Sequence, residues 1–332
     1  MKEFGGYLPI EMEQREEYYM SCRDYDVICY NSGRSAIYEA FYDSRAEVMW
    51  LPVYLCDSIH KLFDYFDESV KYYNIDSDFM PVNVNLKDNE ILLYTNYYGI
   101  QTQGNLNSIL KQYVHVIFDN THAFYNQPVK GTYNVYSCRK FFGVPDGGYL
   151  ISDSFIHNSR ILEKSCSYTT ALYLLKAHDT STNEAYRDSI INEERITNEG
   201  VRSMSVLTHK ILGGIDYEYC SKKRTENFGE LCRCLNELNE ISLPSPELCK
   251  NIGLSPVCYP FLKRSEGLRQ YLVANRIYVP QWWKAVTDNP LANEREKYLS
   301  QYLLPLPIDQ RYSACDMQHI AEVITQYLNI NL

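Results

Sequence analysis

Short apolar runs alternate with amphipathic stretches between about residue 31 and residue 153. The apolar runs are rich in β-branched and aromatic side chains, which is typical of buried strands. They lie at residues 47–51, 70–73, 91–94, 114–118, 133–137 and 149–152. Helical periodicity separates the earlier runs, at residues 35–42, 58–66 and 106–113. Because this alternation implies right-handed crossovers, we predict an α/β fold with a mainly parallel central sheet flanked by helices.

The second half of the chain has a different texture. Residues 162–238 carry many charges and are predicted to be helical, apart from a polar loop at residues 177–183. Beyond residue 246 the pattern predicts a separate α+β unit, with elements at residues 257–262, 267–274, 302–304 and 317–328. We therefore predict three parts: an N-terminal arm that packs on the small domain (1–30), a large ligand-binding domain (31–240) and a small C-terminal domain (241–332).

Composition narrows the class of protein. With 332 residues, of which 45% are hydrophobic and 22% charged, the chain is expected to form a two-domain globular protein. No apolar run approaches the ~20 residues that span a bilayer, and the first residues lack the apolar core of a signal peptide. A net charge of −10 argues against a nucleic-acid partner. Eleven cysteines without a CxxC pair favour reduced thiols in a cytoplasmic protein and no metal site.

Candidate chemistry is concentrated after two of the predicted strands. Asp119 follows the apolar run 114–118, and His122 comes three residues later. Lys140 lies on a tight loop three residues after Ser137, which ends the next strand. This order suits pyridoxal phosphate (PLP), because a lysine amine can hold the aldehyde of PLP while a carboxylate keeps its ring nitrogen protonated. The sequence therefore predicts Lys140 and Asp119 as catalytic residues.

Each of these motifs also has a simpler interpretation. Asp119 can cap a turn and His122 can be satisfied within the core, whereas a metal pair is not favoured because no third ligand lies nearby. The spacing of Ser137 and Lys140 also occurs in penicillin-binding enzymes. Those enzymes need later Ser-Asp-Asn and Lys-Thr-Gly motifs, and neither occurs in this sequence.

The segment Asn31–Ala36 precedes a predicted amphipathic helix. Small residues at this point allow backbone N–H groups near Gly33 and Arg34, with the Ser35 hydroxyl, to face a phosphate group. The alternative is an ordinary helix N-cap in which Ser32 closes a turn. Arg34 either adds positive charge to a phosphate site or is a solvated side chain at the helix start, and the sequence leaves both interpretations open.

Taken together, a phosphate-type turn, an aspartate at a strand end and a lysine loop predict a PLP site. With these motifs the chain resembles the DegT/DnrJ/StrS family of sugar aminotransferases, which have the aspartate-aminotransferase fold (PLP fold type I). The resemblance runs through nearly the whole chain. Its matching segments are Asn31–Ala36, Leu51–Tyr54, Asn96–Gly99, Val116–His122, Ser137–Gly148 and Leu304–Pro307.

The sequence departs from the family pattern at three places. Cys56 stands where many members have an aromatic residue that stacks on the cofactor, so Tyr54 or His122 is expected to provide that face. Ser137 lies nearer the lysine than the phosphate-binding serine of the family usually does. The Asn-Tyr-Arg loop, which in the family reaches the site of the partner subunit, is only vaguely matched around residues 200–202.

The resemblance implies a homodimeric PLP-dependent aminotransferase. It would move an amino group from an amino acid, with glutamate as the expected donor, to a keto-sugar that is nucleotide-linked, in polysaccharide or amino-sugar biosynthesis. The implied cofactor-binding residues are Lys140, Asp119, His122, Ser137, Gly33, Arg34, Ser35 and Tyr54. One alternative is a sugar dehydratase, although members with that activity carry histidine in place of the lysine. Another is a catalytically silent or regulatory protein that retains the fold.

Overall fold

A computed structural model describes residues 4–153, 155 and 161–330. The strands in this part of the chain are β1 Asp26–Tyr30, β2 Val48–Pro52, β3 Val70–Ile75, β4 Pro81–Val82, β5 Glu90–Thr95, β6 Val116–Asp119, β7 Tyr133–Ser137, β8 Gly148–Ser152, β9 Tyr259–Leu262 and β10 Leu303–Leu306. The α-helices are α1 Gly33–Ser44, α2 Asp57–Tyr65, α3 Gln103–Gln112, α4 Leu172–Asp179, α5 Thr182–Glu199, α6 Val206–Leu212, α7 Tyr217–Leu235, α8 Pro246–Asn251, α9 Leu268–Ala274, α10 Glu294–Tyr302 and α11 Ala314–Ile330. Short 3₁₀ helices span Tyr97–Gly99 and Lys284–Asp288.

Eight of the strands form one sheet in the order β1-β8-β7-β6-β5-β2-β3-β4. Strands β3, β2, β5, β6 and β7 pair in parallel, whereas β8 is antiparallel to both of its neighbours, β7 and β1. The predicted α/β fold with a mainly parallel sheet is therefore confirmed. The chain runs from β2 outward to β3 and then returns to β5 on the other side, so the strand order reverses between β2 and β5. In open α/β sheets, ligands bind at the carboxyl ends of the strands beside such a reversal.

Both faces of the sheet are buried, because successive side chains of a strand point to opposite faces. Leu93 of β5 packs with Ile37 of α1 in one apolar cluster. Leu92, its neighbour in the strand, belongs to a second cluster that also includes Leu231 of α7 and Ile324 of α11. The C-terminal unit thus shares a core with one face of the sheet. The domain boundary near residue 240 stays a prediction, since α7 precedes it and yet packs on α11.

Six strands lie where the apolar runs predicted them, with ends that differ by no more than two residues. Strand β1 was not predicted, because its five residues were assigned to the N-terminal arm. It is recognisable only through its partner, since all five residues pair with β8, which lies more than a hundred residues later in the chain. Within the described residues, no helix is long and apolar enough to span a membrane.

The N-terminal arm packs on the large domain, which corrects the prediction that it packs on the small one. Tyr19 is fully buried in an aromatic cluster with Phe124 and Tyr136. Glu17 contacts His209 Nδ1 at 2.6 Å and also accepts a hydrogen bond from the Tyr149 hydroxyl. The aromatic side chains of the arm bury themselves against the nearest apolar surface, which is formed by Phe124, Tyr136 and Tyr149, and the pattern along the chain does not show which surface that is.

Candidate active site

Three neighbouring strands end at one cavity of about 270 Å³. Thr95 ends β5, Asp119 ends β6 and Ser137 ends β7, and all three residues line the cavity. Thr95 is directly opposite Asp119 in the β5–β6 pair. Lys140 lies on the loop after β7 and lines the same cavity. The structure therefore brings together Lys140 and Asp119, the two residues predicted to be catalytic.

Helix α1 begins at the edge of this cavity. Ser32 is its N-cap and accepts a hydrogen bond from the backbone N–H of Ser35 at 3.2 Å. The residues next to the cap, Gly33 and Arg34, line the cavity, so the N-cap and the ligand-facing turn are the same structure. Unpaired N–H groups and the helix dipole make such a start favourable for an anion.

The predicted contact of Ser35 with a phosphate group is not supported by its position. Its hydroxyl donates a hydrogen bond to Asn31 Oδ1 at 2.7 Å and lies 2.8 Å from the Ser32 hydroxyl oxygen. Ser35 is buried and does not line this cavity. Its side chain stabilises the turn before α1 because short polar side chains readily bond to nearby groups at a helix start.

Two glycines allow the start of α1 to approach the sheet closely. A Cβ atom on Gly33 would lie 2.7 Å from Thr121 Cγ2, and one on Gly148 would lie 2.5 Å from the carbonyl carbon of Ser32. Gly148 is opposite Ser137 in the β7–β8 pair, so this contact fixes α1 beside the end of β7. The missing side chains of Gly33 and Gly148 therefore allow the start of α1 to lie against the sheet beside the cavity.

Gly148→Ala is expected to destabilise the protein by about 1–3 kcal/mol, because an added methyl group would overlap with backbone that cannot move away. Gly143→Ala is the matched control on the loop that precedes β8, since its Cβ would meet only Leu174 Cδ2, at an ordinary 3.7 Å. Urea unfolding measures both free energies. Equal values for the two variants would contradict the close packing of α1 on β8.

The Lys140 side chain projects into the cavity, and Nζ lies 3.3 Å from Thr121 Oγ1. The Lys140 side chain is exposed to solvent through the open cavity. Dense protein nevertheless surrounds its amine, and this burial lowers the pKa of Lys140. The carboxylate of Asp119 opposes that shift, and the neighbouring Arg139 adds to it. A lowered pKa increases the fraction of neutral amine, which is the form that attacks an aldehyde and accepts a proton.

The lysine loop is held from the C-terminal side of the molecule. Arg224 of α7 is buried, and its guanidinium donates to the carbonyl of Phe141 at 3.2 Å and lies over the Phe141 ring. Gln310 Nε2 donates to the same carbonyl at 3.0 Å. Both contacts join residues far apart in the sequence, so sequence patterns could not have revealed them.

His122 is buried and uncharged. Its Nδ1 accepts a hydrogen bond from the backbone N–H of Tyr98 at 3.2 Å, which leaves the proton on Nε2. Burial holds the pKa of His122 well below its usual value, and the positive charge of Lys140 lowers it further. The Trp283 ring is parallel to the imidazole, with an interplanar angle of 3° and ring centroids 5.8 Å apart. His122 and Trp283 both line the cavity.

Trp283 is a candidate site residue that the sequence analysis missed. It belongs to the C-terminal unit, and the adjacent pair Trp282-Trp283, in a chain with only three tryptophans, was the available signal. Tyr54, predicted to face the cofactor, does not line the cavity. Its ring is buried, packs edge-on against Trp283 at 4.5 Å, and its hydroxyl lies 2.7 Å from the Tyr98 hydroxyl. Tyr54 therefore stands behind the cavity wall.

The residues of the cavity fit the predicted cofactor. They provide an amine on Lys140, a carboxylate on Asp119 and a hydroxyl on Ser137. The start of α1 adds backbone N–H groups and the positive charge of Arg34. Thr95 adds a buried hydroxyl that has no hydrogen-bond partner among the described residues. No group of three or more histidine, cysteine or acidic side chains in the described ranges could hold a metal ion. This set matches an aldehyde, a ring nitrogen and a phosphate group.

No family model matches the sequence, and comparison with curated proteins gives no match either. Solved structures do match. A DegT DnrJ EryC1 StrS aminotransferase from Brucella abortus is 13% identical over 91% of this chain and 85% of that chain, with a TM-score of 0.60. The sugar aminotransferase CalS13 from Micromonospora echinospora is 11% identical, with coverages of 90% and 87% and a TM-score of 0.61. DesI, solved in the presence of its TDP-sugar product, is 10% identical, with coverages of 90% and 79% and a TM-score of 0.60.

Likeness at these identities is evidence for the fold alone. It extends over nine-tenths of the chain, so it includes both the sheet and the C-terminal unit. The protein therefore has the fold of the DegT/DnrJ/EryC1/StrS aminotransferases, as the sequence predicted.

Proposed function

We propose that this protein is a PLP-dependent aminotransferase that transfers the amino group of an amino acid to a keto-sugar. The observation that carries the proposal is the presence of Lys140 and Asp119 in one cavity at the carboxyl ends of the strands. The fold shared with sugar aminotransferases supports it. When bound, PLP supplies an electron-accepting ring that stabilises negative charge at the substrate carbon.

Lys140 would hold the cofactor through Nζ and afterwards move the proton that substrate and cofactor exchange. The lowered pKa of Lys140 suits both tasks, because each requires an amine that is neutral part of the time. Asp119 would keep the ring nitrogen of the cofactor protonated. Its Oδ1 accepts the backbone N–H of Thr121 at 3.0 Å, which fixes the carboxylate at the end of β6.

The other cavity residues would bind and orient the cofactor. Ser137 and the first N–H groups of α1, at Gly33 and Arg34, would bind its phosphate group. His122, neutral and parallel to Trp283, offers a flat and uncharged face for an aromatic ring. Arg34 already donates a hydrogen bond to Thr197 Oγ1 at 3.0 Å, so it can add charge to the site without being free to move far.

The proposed amino acceptor is a nucleotide-linked keto-sugar, and the proposed donor is glutamate. The proposed active form is a homodimer. A second cavity of about 620 Å³ adjoins the first and shares Arg34 and Ser58 with it. This room, together with the TDP-sugar product in one structural neighbour, supports a substrate larger than a simple sugar. The reaction would be a step of polysaccharide or amino-sugar biosynthesis in the cytoplasm.

The half-reaction with the donor tests the proposed function. PLP-loaded protein mixed with glutamate is expected to release 2-oxoglutarate, up to one equivalent per site, while the cofactor gains the amino group. 2-Methylglutamate is the matched control, because it has no hydrogen on the reacting carbon and cannot complete the transfer. A screen of the other common amino acids accompanies the assay. Retention of PLP with no oxo acid released from any of them would overturn the proposal and favour a silent or regulatory protein.

A further inference from the structure

Arg139 lies in the candidate site beside Lys140 and has no role in the function proposed above. It follows Ser137 by two residues and lines the cavity that contains Lys140. Its side chain is 18% exposed. Its Nε is buried and has no hydrogen-bond partner in the part of the chain that the structure describes. A buried N–H donor without a partner is costly, so a ligand that accepts a hydrogen bond there would be favoured.

The guanidinium of Arg139 forms an ion pair with Glu193 of α5. Glu193 also lines the cavity and is 53% exposed, so an incoming anion can reach the pair from solvent. Burial lowers the pKa of Arg139 to about 10, and the positive charges of Arg34 and Arg195 contribute. Arg139 therefore lies close enough to Arg195, and to Arg34 at the start of α1, for their positive charges to act on it, and Asp146 partly offsets them.

We propose that Arg139 binds the phosphate group of the cofactor and that Glu193 competes with the phosphate for Arg139. The inference rests on the proposed function and adds a cofactor-binding residue to it. A Cβ atom built on Gly33 would lie 3.5 Å from Ser137 Cβ, so the Ser137 side chain and the start of α1 meet at one place in the cavity. A hydroxyl and a helix N-terminus together suit a phosphate group. A planar guanidinium can donate two parallel hydrogen bonds to phosphate oxygens, which gives both affinity and orientation.

Comparison of PLP with pyridoxal, which has the same aldehyde and ring but no phosphate, tests this role. Arg139→Gln is expected to weaken PLP binding at least about tenfold and to change pyridoxal binding less than about threefold, since only PLP has the group that Arg139 would bind. Glu193→Gln is expected to act in the opposite direction and tighten PLP binding, because it removes a competing negative charge. Inorganic phosphate is expected to inhibit PLP binding less in Arg139→Gln than in the unmodified protein.

Controls separate this role from general effects on structure. Arg233 and Glu230 form a similar pair on α7, where Arg233 is 61% exposed, and neither residue lines the cavity. Arg233→Gln and Glu230→Gln are expected to leave the ratio of PLP to pyridoxal affinity unchanged. Capture of pyridoxal by Lys140 in each variant shows that the cavity has folded.

The outcomes distinguish this inference from the proposed function. If all variants capture PLP and pyridoxal with an unchanged affinity ratio, Arg139 does not bind phosphate, although the aminotransferase proposal stands. A change confined to the KM of the amino donor would instead assign Arg139 to the carboxylate of the donor, and would overturn the phosphate role. If the unmodified protein captures neither compound at Lys140, both proposals fail.

Discussion

Lys140→Met is expected to reduce amine transfer about 10⁴-fold or more, because it removes both the covalent attachment of the cofactor and the proton carrier. The methionine side chain has a similar length and no charge, so the cavity should retain its shape. Steady-state amine transfer from glutamate to an acceptor measures the loss. Lys130→Met, at an exposed lysine before β7, is the control and should retain full activity.

Lys140→Met is expected to be more stable than the unmodified protein in the absence of PLP. The pKa of Lys140 is lower in the folded protein than in the unfolded chain, so folding disfavours its charged form. This penalty is complete at a pH below the folded pKa and disappears as the pH rises above the unfolded value, near 10.4. The gain in melting temperature should therefore be present at pH 7 and absent above about pH 10.5. A variant less stable than the unmodified protein at pH 7 would contradict the assigned pKa shift.

Asp119→Asn is expected to lower amine transfer about 10²–10³-fold, the usual effect of removing one preorganised charge from a reacting centre. Covalent capture of PLP at Lys140 should continue, because the asparagine can still accept the N–H of Thr121. A PLP analogue methylated on the ring nitrogen has a permanent positive charge there. It is expected to restore much of the activity of the variant, since it no longer needs a carboxylate to keep that nitrogen charged.

Two results would count against this role of Asp119. Equal activity of Asp119→Asn with PLP and with the methylated analogue would mean that the carboxylate does not act on the ring nitrogen. Loss of PLP capture in the variant would mean that Asp119 mainly maintains the structure. Asp153→Asn, at an exposed aspartate after β8, is the control for loss of one negative charge.

Much of the fold was predictable because its signals are local. Strands β6 and β7 are buried on both faces, so they appear in the sequence as continuous apolar runs, and the polar residues that follow them mark the carboxyl edge of the sheet. Asp119 and Lys140 could be named as candidate site residues for this reason. Their meeting in one cavity follows from parallel strands, which place successive strand ends at the same edge.

The parts that the sequence did not reveal depend on side-chain direction or on distant contacts. The Ser35 hydroxyl donates a hydrogen bond to Asn31 and does not face the cavity. The sequence pattern does not show which of these two directions the side chain takes. Trp283 reaches His122 from the C-terminal unit, more than 150 residues away in the chain. The pairing of Arg139 with Glu193 depends on how α5 packs beside the lysine loop.

The amine of Lys140 is expected to form a covalent bond with PLP. The most direct measurement is borohydride reduction of the PLP-loaded protein, followed by digestion and mass spectrometry of the peptides. We expect one phosphopyridoxyl group per chain, on the peptide that contains Lys140, and none in Lys140→Met. Stable labelling of a different lysine, or tight PLP binding with no label on any peptide, would contradict the account.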